Sequence, residues 1–442
     1  LPKVVAYAGG VAVALIVVLV VFIFFFGNAI VNGCVRNKVE KAFAKAHPGF
    51  AMRIGRLSYL VGADATVAES ITVSATNAVF KADRLRLMGV RWSSLFRGKP
   101  VLANIFAKAS LEATNLEAEF LETRYRALCG RLQANVAGGE LAAGRIELGA
   151  LKDDKDFFSA REFRDTRFHV VVPECRVSGL AYDELFAGTS YRAASIHVVR
   201  PTFDALVDCD KPNHPFVKSP LMVHEALAAI LKPLQIDSLQ VDGGSIKYSE
   251  QVVAGGNPGV LTFTAVGLSV ENIANRGRAE DAMKLQGQGN LMGAGTLKLL
   301  MTIPIMPTNF SLRYSGSLGA MNLTNLNAFL DIDAHTRITS GFVNEADFEI
   351  DVAGGQARGQ VRGTYQKLEI AILDKKSGSA NGIEDRITSL LANMLRIRSS
   401  NNPELPGSAK KGKVEYTRRP DEEFLQFLWF ALRSGVLDII SH

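Results

Sequence analysis

The side chains able to do covalent or metal chemistry are scattered along these 442 residues rather than gathered into motifs. Seven histidines, His47, His169, His197, His214, His224, His335 and His442, make no H-E-x-x-H pair, since His224-Glu225 is followed by Ala-Leu-Ala. No G-x-S-x-G and no Walker A sequence occurs. Lys152-Asp153-Asp154-Lys155-Asp156 offers carboxylates, but not at EF-hand spacing, and its two lysines would repel a cation. It reads as a solvated turn. Gly287-Gln288-Gly289 and Gly293-Ala294-Gly295 fall in strand-like sequence, where they mark bulges or close backbone approach rather than a phosphate cradle. The four cysteines, Cys34, Cys129, Cys175 and Cys209, lack any C-x-x-C spacing. Cys175 and Cys209 either pair in an oxidising compartment or stay separate buried thiols. The sequence thus nominates no catalytic residue, no metal set and no cofactor, and the chain is expected not to be an enzyme.

What must position any functional surface is a membrane segment followed by a long β region. Val4 to Phe26 is a run of 23 residues without a charge. As a helix it would span roughly 34 Å, enough for a hydrocarbon core of about 30 Å. It is longer than a signal-peptide core, and no A-x-A site follows. The expected organisation is an anchor over 1–27 and a polar juxtamembrane helix over 28–48 ending at His47-Pro48-Gly49. A β section over 49–219, a helical divider over 220–234 and a second β section over 235–374 follow, then a basic helical tail over 375–442.

Strand assignments rest on period-2 alternation. Met52, Ile54, Leu57 and Tyr59 begin the first strand-like stretches, and Arg84-Leu85-Arg86-Leu87 alternates. Ile246 and Tyr248 share a face, as do Leu261 and Phe263 within Val260 to Val270. Phe310, Leu312 and Tyr314 share another, and so do Phe348, Ile350 and Val352. Val361 to Tyr365 and Leu368 to Ile372 continue the pattern. So little helix separates the strands that a long antiparallel meander is expected. The divider is a short helix capped by Ser219 with Pro220 in its first turn, carrying Leu221, Leu227, Ala228, Leu231 and Leu234. A further helix-like segment surrounds Leu323 to Phe329.

The net charge of +6 concentrates near the C-terminus, where ten basic and four acidic residues lie between Lys375 and Arg419. That segment suits anionic lipid headgroups, an acidic partner or plain solvation. Nucleic acid is disfavoured, because no aromatic-interleaved basic repeat occurs. Ile383, Ile387, Leu390, Leu391, Met394 and Leu395 recur at helical spacing, and a basic strand over Lys413 to Arg418 follows. The last helix is read from Pro420, with Asp421, Glu422 and Glu423 in its first turn. Its apolar residues Phe424, Phe427, Leu428 and Trp429 are the candidate contacts for a cap over the β structure, a partner or a membrane surface.

Several stretches resemble the AsmA-like family of diderm bacteria. Leu85-Arg86-Leu87 followed by Ser93-Ser94-Leu95-Phe96-Arg97-Gly98-Lys99-Pro100-Val101 looks like the family's N-terminal strand, turn and strand. Pro233 to Ser238, Asp242-Gly243-Gly244-Ser245-Ile246-Lys247-Tyr248-Ser249-Glu250, Tyr314 to Met321, and Phe427-Leu428-Trp429 with Ser434-Gly435 are similar to a short, singly anchored subgroup of unknown function. The stretch from Cys129 to Cys209 matches least. The resemblance implies a single-pass inner-membrane protein with a periplasmic domain. The charge asymmetry, Lys3 before the span against Arg36, Lys38, Lys41 and Lys45 after it, would by itself put that domain in the cytoplasm. It also implies a curved, trough-like sheet with an apolar inner face, and related large members are thought to carry lipid between membranes. The expected lining is Ile246, Tyr248, Leu261, Phe263, Phe310, Leu312, Tyr314, Phe348 and Ile350; these residues could equally fill a closed core. The expected partners are the inner membrane and a phospholipid or other lipid, in lipid transfer or outer-membrane maintenance. The alternative is a non-enzymatic structural or assembly subunit of a larger envelope complex.

Overall fold

The computed structural model describes residues 40–41, 43–44, 49–90, 106–212, 220–278, 280–306, 309–373, 397–402 and 409–441. The expected membrane anchor, most of the juxtamembrane helix, the turn over Ser93 to Val101, the capping Ser219 and the periodic stretch from Ile383 to Leu395 lie outside them. Among the described residues no helix is long and apolar enough to cross a membrane.

The chain is mainly β and forms one long curved sheet of eighteen strands. The first seven are β1 (Ala51–Leu60), β2 (Ala65–Ser74), β3 (Ala78–Met88), β4 (Ser110–Phe120), β5 (Tyr125–Asn135), β6 (Glu140–Ala150) and β7 (Thr166–Ser178). Each pairs antiparallel with the next. β8 (Tyr191–Val199) and β9 (Thr202–Asp208) lie end to end along β7, broken only at Arg200-Pro201. Then β10 (Leu234–Gln251), β11 (Gly259–Ala274), β12 (Ala282–Leu291), β13 (Gly295–Pro304) and β14 (Leu312–Leu318) extend the meander. The two-residue β15 (Met321–Asn322) joins β14 on β16 (Thr336–Ala353), followed by β17 (Gln356–Ile372) and β18 (Gly412–Thr417).

The expected meander has one exception. β10 runs parallel to β8 and β9, with Leu239 opposite Ile196 and Ile246 opposite Phe203. Parallel neighbours require a crossover, because the chain must return to the end at which it started. β10 nevertheless pairs directly with β8 and β9, so the sheet is continuous across the 220–234 segment. The helix there is only Val223–Ala228, started by the Glu225 carboxylate accepting from the Met222 N–H at 2.7 Å. Leu231 is 89% exposed and Leu234 opens β10, so neither belongs to an amphipathic helix.

Other boundaries also move. Val361 to Tyr365 and Leu368 to Ile372 are one strand, with Lys367 at φ 54° as an internal kink. Gly293, at φ 68°, turns the hairpin between β12 and β13 rather than marking a strand bulge. Phe310 precedes β14, and the last helix begins at Phe424 rather than Pro420.

The curvature has a local origin. In β1 to β7 the inward positions alternate, skip once by three, then alternate again: Ile54 to Leu57, Ala68 to Ile71, Ala82 to Leu85, Ala113 to Leu116, Cys129 to Leu132, Ala143 to Ile146, Val172 to Cys175. The skipped residues face each other from strand to strand. Ser70 (φ 53°), Asn115 (φ 49°) and Arg145 (φ 54°) supply left-handed backbone on alternate strands. The glycines at this line make room: a Cβ on Gly130 would meet the Arg145 side chain at 2.4 Å. Arg200 (φ 46°), Gly243 (φ 65°) and Ala265 (φ 50°) carry the line on to β11. Kinks stacked this way bend every strand at the same height and crease the sheet.

Among the described residues the short helices α1 (Asp154–Ser159), α2 (Tyr182–Ala187), α3 (Val223–Ala228) and α4 (Asn327–Asp333) and the longer α5 (Phe424–Ile440) pack apolar side chains on the inner face. Phe157 and Phe158 of α1 cover Ala127, Leu148 and Phe168, while Tyr182 and Phe186 of α2 cover Leu87, Leu111 and Ala134. α5 lies across Val361 and Val414, joined at its start by Val223 and Leu227 of α3.

Candidate functional site

None of the sequence's chemically capable groups assembles into a reactive centre among the described residues. Asp153 caps α1 by accepting the Asp156 N–H at 2.8 Å, and Arg167 holds Asp154 and Asp204 at 2.8 and 3.0 Å. A cleft of about 290 Å³ on the outer face includes these acids and His169. His169 is paired with Glu147 at 3.0 Å, and His197 with Asp242 at 2.7 Å. No group of three or more His, Cys, Asp or Glu among the described residues is placed to hold a metal ion. Cys129, Cys175 and Cys209 are free thiols, so Cys175 and Cys209 do not pair. Burial pushes all three thiols above their ordinary range, which keeps them protonated and unreactive.

The surface that stands out is the inner face. Residues directly opposite each other in a sheet share a face, so the register traces a row from strand to strand. One row starts at the β1 edge with Leu57, Ala68, Leu85, Ala113, Leu132 and Ala143. It continues through Cys175, Val198, Val241, Leu268 and Gly287. It ends with Leu299, Gly316, Phe348, Val361 and Gly412 at the β18 edge. The row visits every strand but β9 and β15 without meeting a charge, amide or hydroxyl. At ~4.8 Å per strand it is roughly 70 Å long.

A second row reaches the expected lining. Met52, Val73, Phe80, Ala118, Ala127 and Leu148 lead through Val170 and Phe203 to Ile246, Phe263 and Leu291. Ile246 and Phe263 are direct partners on this row, and Tyr248 and Leu261 are partners on the next. All four are half-buried. Tyr248 donates to Glu250 and packs its ring 6.2 Å from Phe329 of α4. Burial first, then Glu250, pushes its phenol far above the usual range.

Leu312, Tyr314 and Ile350 sit on the same face but beneath α5. Ile350 is fully buried, and the Tyr314 hydroxyl donates to the Leu428 carbonyl at 3.0 Å. Phe348 is half-buried beside Tyr314, with ring centroids 5.9 Å apart. Phe310 packs in the loop before β14 against His224, Phe424 and Phe427. In α5 itself, Phe427 and Leu428 are buried against the sheet and Phe424 partly so, while Trp429 is 49% and Leu425 53% exposed.

Burial divides the long row. Its β1 end is closed: Ala68, Leu85, Ala113 and Leu132 are buried. In the middle, Val172, Cys175, Val177, Ile196, Val198 and Val241 are half-buried and join none of the packed clusters. These residues escaped a strand-by-strand reading. Their signal is the valine-rich sequence of β7 and β8, whose alternation is hidden by apolar residues on both faces. No family model matches the chain, and no curated protein matches it.

Proposed function

We propose that this protein is a membrane-anchored, periplasmic lipid-binding protein whose curved sheet is a trough for acyl chains, acting in lipid transfer or envelope maintenance. The observation that carries this reading is the apolar row from Leu57 to Gly412, whose central residues are half-buried and join none of the packed clusters among the described residues. An acyl chain laid there would gain about 0.8 kcal/mol per buried CH₂. The helices packed on the inner face would wall it, and a headgroup would keep its water at the open side. No covalent step is needed for such binding. The Val4 to Phe26 run would hold the β1 mouth beside a bilayer, and the AsmA-like resemblance favours the periplasmic side. A trough of roughly 70 Å would act with a partner, a second copy or a shuttling step to span a wider gap.

The test is extraction of the purified full chain with organic solvent and mass spectrometry of what is released. Acyl lipid should be present in near-stoichiometric amount. A lipid-free protein that takes up none from vesicles would end this reading.

A second reading, an assembly subunit of an envelope complex, draws on Leu425 and Trp429, which project from α5 into solvent. Because α5 is part of the fold, its test is L425Q/W429Q rather than deletion. Loss of a co-purifying protein with bound lipid unchanged would support it.

A further inference from the structure

Only two residues of α5, Arg433 and Asp438, carry charge. Asp438 is accounted for: it accepts from the Lys413 N–H at 2.7 Å and faces Lys410 at 3.5 Å. Arg433 is not. Its guanidinium lies 4.6 Å over the Phe430 ring, and its Nη1 is buried without a hydrogen-bond partner. Among the described residues no carboxylate oxygen comes within 4.0 Å of it.

The neighbouring charges sharpen the point. Glu422, fully buried, accepts from Arg419 Nε at 2.6 Å and from the Tyr416 hydroxyl. Arg419 also lies on Phe430, at 5.9 Å. Two guanidiniums therefore lie against one ring, and the buried Glu422 carboxylate is engaged by one of them, Arg419. Asp421 stands 3.9 Å from Arg419 with its side chain 55% exposed. Asp333 of α4 is felt by Arg433 only at a distance. Among the described residues Arg433, whose side chain is half-buried, is thus left without a carboxylate at ion-pair distance. Arginine does not relieve this by losing a proton, and a partly buried charge gains when an anion pairs with it.

The surroundings identify the kind of anion. Leu432 and Val436, on either side of Arg433, pack in the same cluster as Leu268, Leu299 and Phe348 of the long row. A ligand whose anionic oxygens met the guanidinium fork would thus lead an apolar tail directly onto the row. We propose that Arg433 anchors the headgroup of an acyl lipid bearing a phosphate or carboxylate, setting the C-terminal end of the trough. This rests on the lipid-binding reading and adds to it a headgroup class and a position.

The experiment compares dioleoyl phosphatidate, oleate, dioleoylglycerol and inorganic phosphate for binding to the full chain in detergent. Wild type should bind phosphatidate and oleate about tenfold more tightly than dioleoylglycerol, the scale of one charge-assisted pair. Arg433→Gln should erase that preference while binding dioleoylglycerol unchanged, and Arg433→Lys should keep most of it. Arg433→Gln should also resist denaturant about as well as wild type, because it removes a half-buried charge with no ion-pair partner among the described residues; a purely structural arginine would lower the midpoint. A preference that survives Arg433→Gln, or equal binding of charged and uncharged lipids by wild type, overturns the assignment while leaving the trough in place. Saturable inorganic phosphate binding in the absence of lipid assigns the site to a free oxyanion and overturns it too. Binding of no lipid at all overturns both readings.

Discussion

The backbone N–H of Lys413 donates to the carboxylate of Asp438 at 2.7 Å, so the last strand of the sheet is closed by its own C-terminal helix. The Glu415 N–H, two residues on, reaches Ser434 Oγ at 3.3 Å. The opposite edge uses the same device, with the Ile54 N–H of β1 donating to Glu40 at 2.8 Å. An open sheet leaves a row of unpaired donors at each edge, a template for another chain. Here side chains from helical residues take positions on both.

Removing that closure should have two consequences. Asp438→Ala with Ser434→Ala is expected to lower stability by about 1–3 kcal/mol. The freed β18 edge should also make the protein associate as its concentration rises. Urea unfolding and light scattering measure the two separately. A monomer at every concentration would show that α5 shields the edge by bulk alone.

The contact behind the closure is tight. A Cβ on Gly412 would stand 2.0 Å from the Gly435 carbonyl oxygen. Gly412→Ala must therefore push α5 off β18, at a cost of about 1–3 kcal/mol. The denaturant midpoint should fall, with a larger drop than for alanine at Gly62, which has open space around its Cβ position and no left-handed backbone.

Within the inner face, open and closed portions should respond differently to charge. Val241→Lys sits in the half-buried middle of the long row, where a lysine stem can reach solvent. It should fold with a nearly unchanged circular dichroism spectrum and lose bound lipid. Ile350→Lys, in a fully buried position under α5, should fail to fold or lose about 3–5 kcal/mol. Equal loss of structure in both variants would mean the middle of the row is closed core.

The Tyr314 hydroxyl ties the sheet to α5 through the Leu428 carbonyl. Tyr314→Phe removes that hydrogen bond without changing the packing, while the Leu428 carbonyl keeps its acceptor role within α5. A loss of about 1–2 kcal/mol is expected, read from chemical denaturation.

High pH should unfold the protein through its buried phenols. Burial raises Tyr182, Tyr248, Tyr314, Tyr365 and Tyr416, with Tyr365 pushed up to about 12. A phenol whose pKa is higher in the folded state holds its proton there while the unfolded chain releases it. The stability it contributes is thus complete below about pH 10, the unfolded value, and is lost as pH rises through the folded one. Tyrosinate absorbance at 295 nm from these residues should appear only together with loss of structure. Their reversible ionisation near pH 10 in a still-folded protein would contradict this.

The sequence by itself determined the strands, because side-chain alternation is a local property of extended backbone. Leu85 and Leu87 face inward and Arg84 and Arg86 outward in β3, as their order dictates. Ile246 with Tyr248, Leu261 with Phe263, and Phe348 with Ile350 likewise share the inner face. The last helix was legible from its run of apolar residues, although the sequence placed its start at Pro420 and the structure places it at Phe424.

Only the tertiary structure decided which of these strands touch and where the sheet bends. The parallel seam between β9 and β10 depends on a crossover that no local pattern encodes. The crease is carried by Ser70, Asn115 and Arg145, residues with no intrinsic need for a positive φ. They adopt it because neighbouring strands kink at the same height, so hydrogen bonds on both sides fix a backbone that would be unfavourable alone. The row from Leu57 to Gly412 exists only once that register is set. Arg433 is one cation in an apolar sequence until Glu422 is seen to be engaged by Arg419, which leaves Arg433 Nη1 without a hydrogen-bond partner among the described residues.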